Sequence, residues 1–173
     1  MHRRILLHHI AVGLGSLASG CGVVTLNADA GDVGDAPITE NGELLLGSGE
    51  FDFVPITDGQ TLLLARGCQG SQHVWISLRA SSLFNPRGVN VQLDLFRTSD
   101  GLRRSLEFLV RLSFDVGAAT HTLPGITLQV PDPEVTIGES LRLVATIVDA
   151  SGRAARASRN VQVVWGTETC TAG

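Results

Sequence analysis

A chain of 173 residues accommodates one domain of ordinary size with room for appendages. Charged residues make up 17% and the net charge is −4, which excludes a charge-rich disordered chain and argues against polyanion binding as the main activity. No lysine occurs, so a lysine Schiff base and a P-loop lysine are excluded, and every fixed side-chain cation is an arginine.

The first residues read as targeting rather than fold. Arg3 and Arg4 form a positive start, Ile5 to Ala18 a short apolar run interrupted by His8 and His9, and Leu17-Ala18-Ser19-Gly20-Cys21 closes it. The run is too short for a comfortable membrane span, and small residues let a chain lie extended in a peptidase cleft. This order of parts resembles the lipobox leader of bacterial lipoproteins, with Ala18 standing where that family usually has Leu. The resemblance implies that residues 1–20 are removed and that Cys21 is acylated as the new N-terminus. It also implies a cell-envelope protein, membrane-anchored by lipid, at the outer membrane because Gly22 rather than Asp follows the cysteine. Each buried CH₂ adds roughly 0.8 kcal/mol, so two or three acyl chains would hold the protein to a membrane that it does not span.

The three cysteines are Cys21, Cys68 and Cys170. If Cys21 carries lipid, two remain, and export permits a Cys68–Cys170 disulfide. Such a bridge would close a loop of about a hundred residues, for which chain-entropy models assign on the order of 4–5 kcal/mol. The alternative is two unpaired buried thiols.

Residues 21–42 are rich in Gly, Ala, Asp and Asn and show no periodic apolar face, which reads as a flexible acidic tether. Asp29, Asp32 and Asp35 lack the one-residue alternation and terminal Glu of an EF-hand loop. Residues 43–173 then alternate between short apolar strands and turns. Leu44–Leu46 starts the series. Glu50–Pro55 is expected to be a strand with Phe51 and Phe53 on one face. Thr57-Asp58-Gly59-Gln60 is a turn, and Thr61–Arg66 returns. In Gly67 to Arg79, Val74, Ile76 and Leu78 point to the core, while His73, Trp75, Ser77 and Arg79 point outward. Val89–Thr98 alternates and Ser99-Asp100-Gly101 signals a hairpin. Leu102–Asp115 is expected to be one long strand, although Leu102, Leu106, Leu109 and Val110 also have helical spacing. Pro124-Gly125 is expected to split Thr120–Val130 into two pieces. Ser140–Asp149 and Ala157–Trp165 form the last hairpin around Ala150-Ser151-Gly152.

That last hairpin, with Val148-Asp149-Ala150-Ser151-Gly152 at its turn, resembles the end of bacterial immunoglobulin-like domains of the PKD and cadherin-like kind. The strand spacing independently points to an all-β fold. Together they give an immunoglobulin-like antiparallel β-sandwich of about 7–8 strands. The antibody-type Cys…Trp…Cys spacing is not met.

No Gly-x-Ser-x-Gly, His-Glu-x-x-His or Cys-x-x-Cys occurs. Cys68, His73, His121 and Cys170 could be imagined around a metal, but no spacing demands it. Asp94, Asp100, Glu107 and Asp115 are scattered acids that a solvated face explains. The outward row His73, Trp75 and Arg79 is the candidate binding face, since Trp and Arg combine contact area with directional donors and an exposed Trp stacks on sugars. A covering loop, from residues 116–136, would remove it. The expectation is a lipid-anchored envelope protein with a non-catalytic binding or scaffold module, needing no cofactor and binding no nucleic acid. Its partners are the membrane through the N-terminal lipid and an envelope protein or glycan. Envelope metal binding through Cys and His, or a glycan-active enzyme, are the alternatives.

Overall fold

A computed structural model describes residues 44–67, 70–82 and 84–167. The leader and tether, Cys21, Cys68 and Cys170 lie outside the described residues. The chain forms β1 (Leu44–Ser48), β2 (Val54–Pro55), β3 (Gln60–Arg66), β4 (Gln72–Ser81), β5 (Val89–Arg97), β6 (Phe108–Leu112), β7 (Thr120–Gln129), a short helix α1 (Pro133–Thr136), β8 (Leu141–Val148) and β9 (Ala154–Trp165). The fold is all-β, as the two-residue alternation requires.

The strands follow the order β2-β1-β4-β3-β9-β8-β5-β6, and β7 takes the other edge of β4. One edge of β4 is shared: Gln72 to Val74 pair with β3, and Ile76 to Ala80 pair with β1. The sheet curls until the flanks of β6 reach β7. Leu106 N–H donates to Gln129 O at 2.9 Å, and Asp115 and Thr122 exchange both backbone bonds. The sheet is mixed, because β3 and β9 run parallel with Leu64 beside Trp165. Inward positions of every long strand meet in one core, where Leu64, Val74, Ile76, Leu78, Leu93, Leu95, Leu128, Leu143 and Ile147 are fully buried. The inward and outward rows expected for β4 are the rows observed.

Three expectations are corrected. Residues 50–55 do not form a strand: only Val54 and Pro55 pair, with Ser48 and Gly47, and Phe51 and Phe53 do not share a face. Gly49, at φ 118, breaks the alternation by closing a tight turn before it can propagate. Leu102–Asp115 is neither one strand nor a helix. Arg103 bridges Phe96, Arg104 N–H donates to Leu95 O, and the Ser105 hydroxyl accepts from Leu95 N–H, so the chain bulges before β6 begins at Phe108. The edge of β5 supplies the backbone partners that a helix would have supplied internally. Thr120–Val130 is not split, because Gly125 (φ 69) absorbs an irregularity opposite Ile76 and Leu78 and β7 continues.

Two polar clusters pin the ends of strands. Glu139, just ahead of β8, accepts from Arg97 at 2.8 Å and from Arg104 at 2.7 and 2.9 Å, and Arg97 also holds Asp100. The Arg104 guanidinium, then Arg97, holds the Glu139 carboxyl below its usual range. In the β8–β9 turn, Asp149 accepts from the Ser151 hydroxyl at 2.6 Å and from the backbone N–H groups of Ser151, Asn85 and Arg153 at 2.8, 2.9 and 3.0 Å. These donors, the Ser151 hydroxyl first, lower its pKa to about 2.

Candidate functional site

Successive side chains of a strand alternate between faces, so Val74, Ile76 and Leu78 in the core force His73, Trp75, Ser77 and Arg79 to the opposite face. All three residues of the expected binding row therefore lie together, each half-buried. Their cross-strand neighbours on this face are Ala65 and Gln129 beside His73, Thr127 beside Trp75, and Leu45 and Thr122 beside Arg79.

A strap does lie on this face, and it comes from residues 49–53 rather than from 116–136. Gly47 pairs with Ser77, and its missing side chain leaves room for the Phe53 ring. A Cβ on Gly47 would stand 2.6 Å from both Phe53 Cε2 and Ser77 Oγ. Ser77 is completely buried, and its hydroxyl donates to Ser48 O at 3.1 Å. The Arg79 guanidinium stacks 4.0 Å from the centroid of Phe53, a cation–π contact that orders both groups. The strap then turns through Gly49. At Gly125 of β7 a Cβ would meet the Glu50 carbonyl at 2.6 Å, so a second missing side chain admits the strap backbone. The outcome is that Phe51 projects into solvent, 78% exposed.

At the other end of the row, the rings of His73 and Trp75 meet edge to face, 4.8 Å apart at 87°. The His73 Nε2 is buried and has no hydrogen-bond partner among the described residues. Burial lowers the His73 pKa, and the Glu50 charge opposes that shift. A folded pKa below the ordinary 6.5 means that acidification through that value works against the fold. The face thus offers aromatic surfaces, a stacked guanidinium, an imidazole and the Glu50 carboxylate. Such a set suits contact and directional hydrogen bonding.

The remaining expected site residues separate. His121 lies opposite Ala80 with a buried ring, while His73 is on the outer face of β4 near its other end. At about 3.3 Å per residue these β4 positions are roughly 23 Å apart, so the two histidines do not converge on one metal. Among the described residues no group of three or more His, Cys, Asp or Glu is placed to hold a metal ion. Asp94 is buried with its Oδ1 3.0 Å from Arg103 Nε and its Oδ2 accepting from Gln92, which makes it a paired structural acid. Among the described residues no helix is long and apolar enough to cross a membrane. Phe53, Glu50, Phe51 and Gly47 were not among the expected site residues. The signal available for them was Gly47-Ser48-Gly49 just ahead of two phenylalanines.

No protein-family model matches the chain, and no curated protein matches it. Among solved structures, it is similar to the CooA pilin subunit from enterotoxigenic Escherichia coli, with 9% identity over 70% of this chain and 99% of that one and a TM-score of 0.35. That likeness is too slight to carry fold detail or function across.

Proposed function

We propose that this protein is a lipid-anchored component of the bacterial cell envelope whose β domain is a non-catalytic binding module, with the strap and the outer face of β4 as its contact surface. The anchor rests on the leader: Arg3 and Arg4, the short apolar run and the small residues before Cys21. Residues 21–42 serve as the tether that lets the domain reach its partner.

The observation that carries the binding reading is Phe51. A large aromatic held in water gives up apolar burial, and here an ordered strap holds it there, with the Phe53 ring at Gly47 and under Arg79 and the neighbouring Glu50 carbonyl at Gly125. A surface of aromatic rings flanked by a guanidinium and a carboxylate suits an envelope glycan, whose CH faces stack on rings while its hydroxyls bond to the charged groups.

Titration of the mature protein with solubilised cell-wall glycan fragments, followed by tryptophan fluorescence, tests this reading. The expected result is a saturable change that is lost in Phe51→Ala and Arg79→Ala. A response that both variants retain, or no response to any fragment, would overturn it. Intact mass of membrane-extracted protein checks the anchor: a chain beginning at Cys21 with added acyl mass supports it, and a retained Met1 does not.

A further inference from the structure

We infer that the outer face of β5, β8 and β9 is a second binding surface, built on Arg103, Phe96, Arg142 and Arg156 for an acidic polysaccharide. It shares no residue with the strap or with β4, so the inference is independent of the reading proposed above. Alternation again defines the face. Leu93, Leu143 and Ala157 point into the core, so Phe96, Arg142 and Arg156, at positions of opposite parity, lie outside. The register of the strands sets them in a grid. Phe96 stands between Arg103 on one side and Arg142 on the other. Arg156 lies opposite Thr146, further along β8 from Arg142. With strands about 4.8 Å apart and a rise of about 3.3 Å per residue, Arg103 and Arg142 stand roughly 10 Å apart, and Arg142 and Arg156 roughly 14 Å.

Asp94 and Val144 sit in the middle of this face, paired with each other across the strands, and each is only 4% exposed although it points away from the core. The long side chains around them provide the cover. Arg103 Nε lies 3.0 Å from Asp94 Oδ1, the Gln92 amide donates to Asp94 Oδ2 at 2.9 Å, and Arg156 Nε is buried. The Arg103 guanidinium also lies 5.8 Å from the centroid of Phe96. Arg103 and Arg156 thus lie along the sheet with their stems packed, and little side-chain freedom remains to be lost on binding.

The charge on this face is not matched. Asp94 answers Arg103, whereas Arg142 and Arg156 have no hydrogen bond or ion pair among the described residues, and the buried Arg156 Nε is without an acceptor. At the margins Arg111 offsets Glu107, and Arg97 and Arg104 are held by Asp100 and Glu139. A chain of net charge −4 therefore keeps an unmatched pair of cations on this face. A guanidinium is a planar donor suited to carboxylate and phosphate. One small anion cannot touch positions roughly 10–14 Å apart. A polymer with acidic groups on successive sugars can, and Phe96 between the arginines gives a pyranose ring a surface to stack on. Phe96 is half-buried rather than projecting as a wedge into a bilayer would.

The test is calorimetric titration of the mature protein with polygalacturonate and with its methyl ester, which keeps the sugar chain and removes the charge. Tighter binding of the acid form is expected, with the preference shrinking as salt rises. In the double variant Arg142→Gln, Arg156→Gln, polygalacturonate should bind about tenfold more weakly and the preference for acid over ester should vanish. Neither arginine has a polar partner in the fold, so melting should stay near the wild-type temperature. The preference should persist in Phe51→Ala, which separates this surface from the strap. The comparison of acid with ester in the wild type needs no variant to fold. No preference for the acid, or a preference that the Gln double variant keeps, would overturn the inference. Arginine-dependent capture by phosphatidylglycerol vesicles, with polygalacturonate unbound, would overturn it in favour of a membrane surface.

Discussion

The Asp149 turn and the Phe51 strap are both short connections between strands of the same sheet, and they are built in opposite senses. In the Asp149 turn a hydroxyl and three backbone N–H groups are aimed at one buried carboxylate. In the strap the Phe53 ring is fitted against Gly47 and the Glu50 carbonyl against Gly125, while the Phe51 and Glu50 side chains face water. The first spends its polar groups on the fold. The second uses missing side chains to hold an apolar group where the fold gains nothing from it. A segment that is ordered without being satisfied inward is the better candidate for recognition.

The largest effect that follows from this contrast is at the turn. Asp149→Ala leaves the backbone N–H groups of Asn85, Ser151 and Arg153 without their acceptor, and about 3 kcal/mol of stability should be lost in chemical denaturation. The acid limb of the stability profile should change too. The folded pKa of Asp149, about 2, lies below its ordinary 3.8, so its contribution is complete above about pH 4 and disappears as pH falls through about 2. The variant should lack that part of the decline. Glycan binding should be unaffected at temperatures where the variant stays folded.

At the strap, Gly125→Ala is expected to cost about 2 kcal/mol, because Gly125 has φ 69 and an added Cβ collides with the Glu50 carbonyl. The collision is with backbone, so the strap must lift, and binding should fall along with stability. Gly47→Ala should cost less, about 1 kcal/mol, since its Cβ meets side-chain atoms of Phe53 and Ser77 that can move. Displaced Phe53 would leave Arg79 without its ring. A Gly47→Ala variant that keeps wild-type affinity would show that the Phe53–Arg79 stack is not part of the contact surface.

These elements also show what alternation can and cannot reveal. The faces of β4, β5, β8 and β9 were legible because burial on one side enforces a period of two. The Asp149 turn was legible as a turn from Asp-Ala-Ser-Gly, although one of its four donors comes from Asn85, far away in sequence. The row His73, Trp75 and Arg79 followed from the same period. The strap did not, because its position is set by glycines on other strands: Gly125 matters through space, and Gly47 matters through the Phe53 ring that covers it. The same limit explains Leu102–Asp115, where a hydroxyl from Ser105 and the stretch of the β5 edge beyond β6 interrupted an apolar pattern that reads as continuous. Parallel pairing of β3 with β9 was equally hidden, since period-two patterns carry no direction.

The smallest expected effect on stability is the most informative about function. Phe51 makes little contact with the core at 78% exposure, so Phe51→Ala should change unfolding free energy by less than about 0.5 kcal/mol. Its backbone remains seated against Gly125, and Phe53 remains stacked under Arg79. If Phe51 is a recognition anchor, truncation should weaken glycan binding at least tenfold, about 1.4 kcal/mol, while melting stays at the wild-type temperature. Phe51→Trp should restore most of the affinity, because an indole offers equal or greater stacking area in the same place. Equal affinity in wild type and Phe51→Ala would mean that the exposed ring is tolerated rather than used, and the strap would then differ from the Asp149 turn in shape alone.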